Sequence, residues 1–122
     1  MTQNEIIEKI VTALDKKKAE DIKAINIHDL TILADYFIIA SGNSTTQTKA
    51  LADEVEYQLS LVGIEPTRTE GHSGSTWTIL DYSDILVHIF YKETREFYSL
   101  SLNYIYIRYM PLSYVLAEEI FF

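Results

Sequence analysis

The stretch Asp35-Tyr36-Phe37-Ile38-Ile39-Ala40-Ser41-Gly42-Asn43-Ser44-Thr45-Thr46-Gln47 decides the fold. Asp35 to Ala40 reads as a strand, and its unbroken apolar run is the pattern of a strand covered on both faces. Ser41-Gly42-Asn43 ends it. Ser44 to Gln47 places Gln three residues after Ser, which reads as a capping box. Ala50, Leu51, Val55, Leu59 and Val62 then recur at helical spacing, and Gly63 suits the residue just past a helix end. A buried strand that runs straight into an amphipathic helix indicates an α/β layer.

On the N-terminal side, Thr2-Gln3-Asn4-Glu5 is a second capping box, followed by an apolar stripe of Ile6, Ile7, Ile10, Val11 and Leu14. The first helix is expected to reach about Lys17, with Lys16-Lys17-Lys18 at its negative dipole end. A short strand is expected from Ile22 to Ile27. On the C-terminal side, Pro66 to Glu70 is polar and β-prone, as suits an edge strand. Glu70 to Ser75 is loop-like. Thr76 to Tyr82 and Ile85 to Tyr91 form a hairpin about Ser83-Asp84, with the second strand central. Thr94 to Tyr98 suits a short helix. The order gives a single α/β domain, with a mixed sheet flanked by helices, over residues 1–100. Residues 101–122 form an atypical apolar tail rich in Tyr, Ile and Leu, with Arg108, Glu118 and Glu119 its charged residues. The tail is expected to pair with the domain's sheet or with a second copy.

Composition narrows the chemistry. The 122 residues carry a net charge of −8 and no cysteine. Disulfides, thiol catalysis and thiolate metal sites are excluded. No run is long enough to cross a membrane, and the polar, acidic start does not resemble a secretory signal, so the cytoplasm is the expected compartment. Nucleic-acid binding draws on Lys and Arg meeting phosphates. A chain this acidic is expected to make little direct nucleic-acid contact and to prefer a basic protein.

No catalytic or metal constellation is expected. His28, His72 and His88 share no helix face, and Asp81 and Asp84 flank a hairpin instead of projecting from one strand. Gly71-His72-Ser73-Gly74 misses the nucleophile elbow by one residue. The turn from Ser41 to Thr46 offers an anion site on general grounds, but it lacks the Lys of a P-loop, and plain capping accounts for it. No cofactor is expected. What remains is a set of large side chains on neighbouring elements: Trp77, Leu80, Asp81, Tyr82, His88, Arg95 and Tyr98. Trp, Tyr and Arg anchor protein interfaces, but aromatic residues fill cores as well, and both readings stand for these positions.

Asp35-Tyr36-Phe37, Ser41-Gly42-Asn43-Ser44, Glu70-Gly71, Trp77 with Leu80-Asp81-Tyr82, Val87-His88 and Arg95-Glu96-Phe97-Tyr98 together resemble the ribosomal silencing factor family, also called Iojap. The resemblance runs from the first helix to about Leu100. It implies a nucleotidyltransferase-like α/β fold without enzymatic activity and a tendency to form homodimers. It implies binding to ribosomal protein uL14 on the large subunit, which sterically blocks the small subunit and represses translation. The seven residues from Trp77 to Tyr98 named above take the contact role, with Asp81 or Asp84 pairing with a basic side chain of the partner. The family's usual Leu-Glu-x-Leu-Trp continuation is absent, because Leu100 is followed by Ser101-Leu102-Asn103-Tyr104. The alternative is a small nucleotidyltransferase-like protein that binds a nucleotide at the Ser41–Thr46 turn.

Overall fold

The computed structural model describes residues 1–28, 34–71 and 76–93. The elements run α1 (Gln3–Lys16), β1 (Glu20–Asn26), β2 (Tyr36–Gly42), α2 (Thr45–Ser60), β3 (Arg68–Glu70), β4 (Trp77–Asp81) and β5 (Ile85–Tyr91). The five strands form one mixed sheet in the order β1-β2-β5-β4-β3. β5 sits at its centre, parallel to β2 and antiparallel to β4. That is the expected α/β architecture. The short helix expected at Thr94 to Tyr98 and the tail from 101 to 122 lie outside the described residues.

The start of α1 follows its sequence signal. Thr2 Oγ1 accepts from the Glu5 N–H, and the Glu5 carboxylate accepts from the Thr2 N–H. The chain leaves α1 through Lys18, whose φ is +63°. The Ala19 N–H reaches back to the Leu14 carbonyl at 3.0 Å, and the Lys18 N–H to that of Asp15 at 2.9 Å. This is a Schellman closure with Lys where Gly is usual. Gly63 closes α2 in the same way at φ +78°, with Ile64 N–H to Leu59 O at 2.9 Å and Gly63 N–H to Ser60 O at 3.0 Å.

Four sequence expectations shift. β2 continues through Ser41 to Gly42, because both residues pair with the end of β5, opposite Phe90 and Tyr91. β1 begins at Glu20, two residues early, and carries a one-residue bulge between Glu20 and Lys23. The bulge sets Ile22 against the helix-side core. The edge strand β3 shrinks to Arg68–Glu70. The Ser44 cap forms, with Ser44 Oγ accepting from Gln47 N–H at 3.0 Å, but the Gln47 side chain bonds the Asn43 N–H and not that of Ser44. Gln47 also donates to the carbonyls of Lys17 and Lys18, so one side chain joins the end of α1 to the start of α2.

Both helices cover the same face of the sheet. Ile10, Ala13 and Leu14 of α1 and Leu51, Ala52, Val55 and Leu59 of α2 pack on Ile38, Ala40, Leu80, Ile85, Val87 and Ile89. Strand side chains alternate between faces, so the intervening residues Phe37, Ile39, Leu86, His88 and Phe90 point the other way, and these are buried as well. The expectation that β2 is covered on both faces therefore holds.

Candidate protein-binding site

Side-chain alternation along β4 divides the expected contact residues into two groups. Leu80 and Tyr82 face the helices and join the aliphatic core. Trp77 and Asp81 face the opposite side, together with His88 of β5. Arg95 and Tyr98 lie outside the described residues. Leu80 and His88 are each only 1% exposed. They stand beneath the surface, whereas Trp77, Asp81 and Tyr82 are half-buried and reach it.

Trp77 heads an aromatic cluster that the hairpin register creates. It lies directly opposite Phe90, and the two rings stack with centroids 5.7 Å apart and planes inclined by 9°. The His88 ring lies 6.1 Å from the indole and 6.4 Å from Phe90, nearly parallel to both. Phe37, on β2, meets His88 edge-on at 4.8 Å and 61°. The Trp77 Nε1–H donates to His88 Nδ1 at 3.3 Å. Burial pushes the pKa of His88 down to about 3, so the ring is neutral at physiological pH.

Asp81 is fixed by its surroundings. Its Oδ1 accepts from the Ser83 N–H at 2.8 Å, which closes the turn where Ser83 takes a φ of +69°. Its Oδ2 lies 3.6 Å from Nε of Arg68, the residue directly opposite on β3. Its side chain is 20% exposed, so the carboxylate is oriented yet accessible. On the helix side, the Tyr82 hydroxyl is buried without a hydrogen-bond partner among the described residues. Burial raises its pKa, and the charges of Glu56 and Glu65 add to the shift. Glu56 is itself raised, by burial first and then by Asp53 and Glu65. This flank of the domain is therefore strongly acidic. It borders a cleft of about 170 Å³ between α2 and the β3–β4 pair, lined in part by Asp53 and Glu56.

At the Ser41–Thr46 turn, the Asn43 N–H donates to the Gln47 side chain, and Ser44 Oγ caps the Gln47 N–H. Among the described residues, no three His, Cys, Asp or Glu side chains are grouped so as to hold a metal ion. Also among the described residues, no helix is long and apolar enough to cross a membrane.

A family model described as ribosomal silencing factor during starvation matches residues 1–104. The chain belongs to this family. The ribosomal silencing factor of Halalkalibacterium halodurans is 38% identical over 100 residues, covering 82% of this chain and 86% of that protein. A crystal structure of a Chromobacterium violaceum protein superposes with a TM-score of 0.79 at 32% identity, covering 84% of this chain and 85% of that one. A more distant mouse relative, named mitochondrial assembly of ribosomal large subunit protein 1, is 30% identical over 97 residues, which are 77% of this chain and 42% of the mouse protein.

Reading the sequence alone misses three residues that the structure joins to the Trp77–Asp81 cluster. Phe90 becomes visible on counting outward from the Ser83-Asp84 turn, which sets it opposite Trp77. Arg68 requires the β3–β4 register, and Phe37 requires the parallel pairing of β2 with β5. No local pattern carries either of those.

Proposed function

We propose that this protein docks on ribosomal protein uL14 of the large subunit and blocks association with the small subunit, so repressing translation. The observation that carries this reading is the family match across residues 1–104. The net charge of −8 supports it, because such a chain is attracted to a basic ribosomal protein and repelled by rRNA phosphates. The mouse relative's name concerns the same subunit. The mechanism is occlusion by a rigid body, and an interface of roughly 1,600 Å² in total is enough for a stable specific complex.

The contact face is centred on Trp77 and Asp81 and extended by Arg95 and Tyr98, with His88 shaping it from beneath, while Leu80 and Tyr82 support the same strand from its helix-covered side. Asp81 or Asp84 meets a basic side chain of the partner. The acidic flank at Asp53, Glu56 and Glu65 adds long-range attraction. The protein acts without a cofactor or catalytic step, as a cytoplasmic homodimer. Residues 1–100 form the acting domain and 101–122 a separate tail. The test mixes purified large subunits with the protein before adding small subunits and follows subunit joining by light scattering. Joining should slow with the wild type and recover with Asp81→Lys, which reverses a surface charge and leaves the core intact. If wild type and variant act alike on joining, Asp81 is not on the contact face. If the wild type has no effect, the silencing reading fails.

A further inference from the structure

Two features of His88 do not fit a residue kept only for packing. Its ring lies on the central strand and is 1% exposed, yet its Nε2 has no hydrogen-bond partner among the described residues. An orphaned interior donor costs stability that an apolar ring of similar size would not lose. What the imidazole does have is Nδ1, 3.3 Å from the Trp77 indole nitrogen. An indole N–H only donates, so Nδ1 must accept, and the neutral ring carries its proton on the orphaned Nε2. Phenylalanine in place of His88 could stack against Trp77 but could not accept this bond.

We propose that His88 is a positioning residue, holding the Trp77 indole by its N–H in the orientation the ribosome-binding face requires. The Phe90 ring beneath Trp77 sets the plane of the indole, with the two rings within 9° of parallel. Stacking on Phe90 does not distinguish the two ways round the indole can lie in that plane, and the bond to Nδ1 favours one of them. Phe37, edge-on at 4.8 Å, holds the imidazole in turn. The partner-facing edge of the indole is then fixed before binding, which lowers the ordering cost of the interface. The proposal rests on Trp77 belonging to the contact face.

Two variants of the full chain separate the acceptor from the ring. His88→Phe keeps a ring and removes the acceptor. His88→Asn keeps an acceptor oxygen where Nδ1 stood and removes the ring. Trp77 is the sole tryptophan, so one indole N–H resonance reports its environment. Binding to purified large subunits and the thermal midpoint complete the set. Binding should follow the acceptor, weakening about tenfold in His88→Phe and staying within about threefold of wild type in His88→Asn. The midpoint should follow the ring, being unchanged or higher in His88→Phe and lower in His88→Asn. The indole resonance should move in His88→Phe. If binding instead tracks the midpoint, with Phe retained and Asn lost, His88 is only a packing residue and the proposal is overturned. If the wild type does not bind large subunits, the docking reading falls. The indole resonance then decides, and an unmoved resonance in His88→Phe overturns the positioning role.

Discussion

The two faces of the sheet are built from the same strands to different ends. The face under α1 and α2 is almost wholly aliphatic, with Ile38, Ala40, Leu80, Ile85, Val87 and Ile89 meeting the stripes of both helices. The opposite face carries Phe37, His88, Phe90, Trp77 and Asp81, with a buried imidazole whose Nε2 has no hydrogen-bond partner among the described residues. The first arrangement gives burial without directional demands. The second gives up some of that stability for oriented rings and a held carboxylate, the features that the proposed contact face calls for.

Leu80 and Asp81 are adjacent residues that point to opposite faces, so substituting each in turn separates what the two faces do. Leu80→Ala should cost about 2–5 kcal/mol of unfolding free energy, measured by urea denaturation, because it opens a cavity in the aliphatic core. Asp81→Ala should cost less than about 1 kcal/mol, since it loses a partly exposed pair and a turn contact. It should nevertheless be the one that weakens large-subunit binding at temperatures where both fold. Equal stability losses would mean that the two faces are not divided in this way.

Acid should distinguish the faces next. The folded pKa of His88, about 3, lies below the ordinary value of 6.5. The unfolded chain therefore binds a proton at a pH where the folded one does not, and stability falls as pH drops below about 6.5. Between pH 6.5 and 4.5 the loss should be about 2 kcal/mol. Glu5, Glu20 and Asp35, whose pKa values are lowered by Thr2, Lys92 and His28 respectively, lose their share only further into acid. Denaturant titrations across that window should slope in the wild type and run nearly flat in His88→Phe. A flat wild-type profile would mean that His88 is not held neutral by burial.

Two smaller effects concern the joints of the helix-covered side. A Cβ on Gly42 would lie 2.9 Å from Thr48 Oγ1 and 3.0 Å from the Thr48 backbone nitrogen, so Gly42→Ala should cost about 1–3 kcal/mol as α2 is pushed off β2. Lys18→Gly should raise stability by about 1 kcal/mol, because Lys18 holds a left-handed φ that glycine adopts freely. Thermal unfolding checks both, and a destabilised Lys18→Gly would mean that the lysine side chain has a role of its own.

The framework was legible in the sequence because its signals are local. The Thr2 box, the Ser44 cap, Gly63 and the Tyr36–Ala40 run each act within a few residues, and the structure shows each of them. The site was legible only as a set of residues. Trp77, Leu80, Asp81 and Tyr82 read as one cluster along the chain, yet the two-residue period of a strand divides them between opposite faces. His88 looked like either a core histidine or a contact. Its geometry makes it a core residue bonded to a surface one, a relation set by cross-strand register that no spacing in the sequence displays. The extra residue in β1 was invisible for the same reason, since a bulge is a property of pairing.

Docking through the Trp77 face is tested by co-sedimentation with purified large subunits, comparing wild type with Trp77→Ala at a temperature where both remain folded. The wild type should pellet with the subunit and Trp77→Ala should stay in the supernatant. Equal pelleting of the two proteins, or none by the wild type, would contradict it.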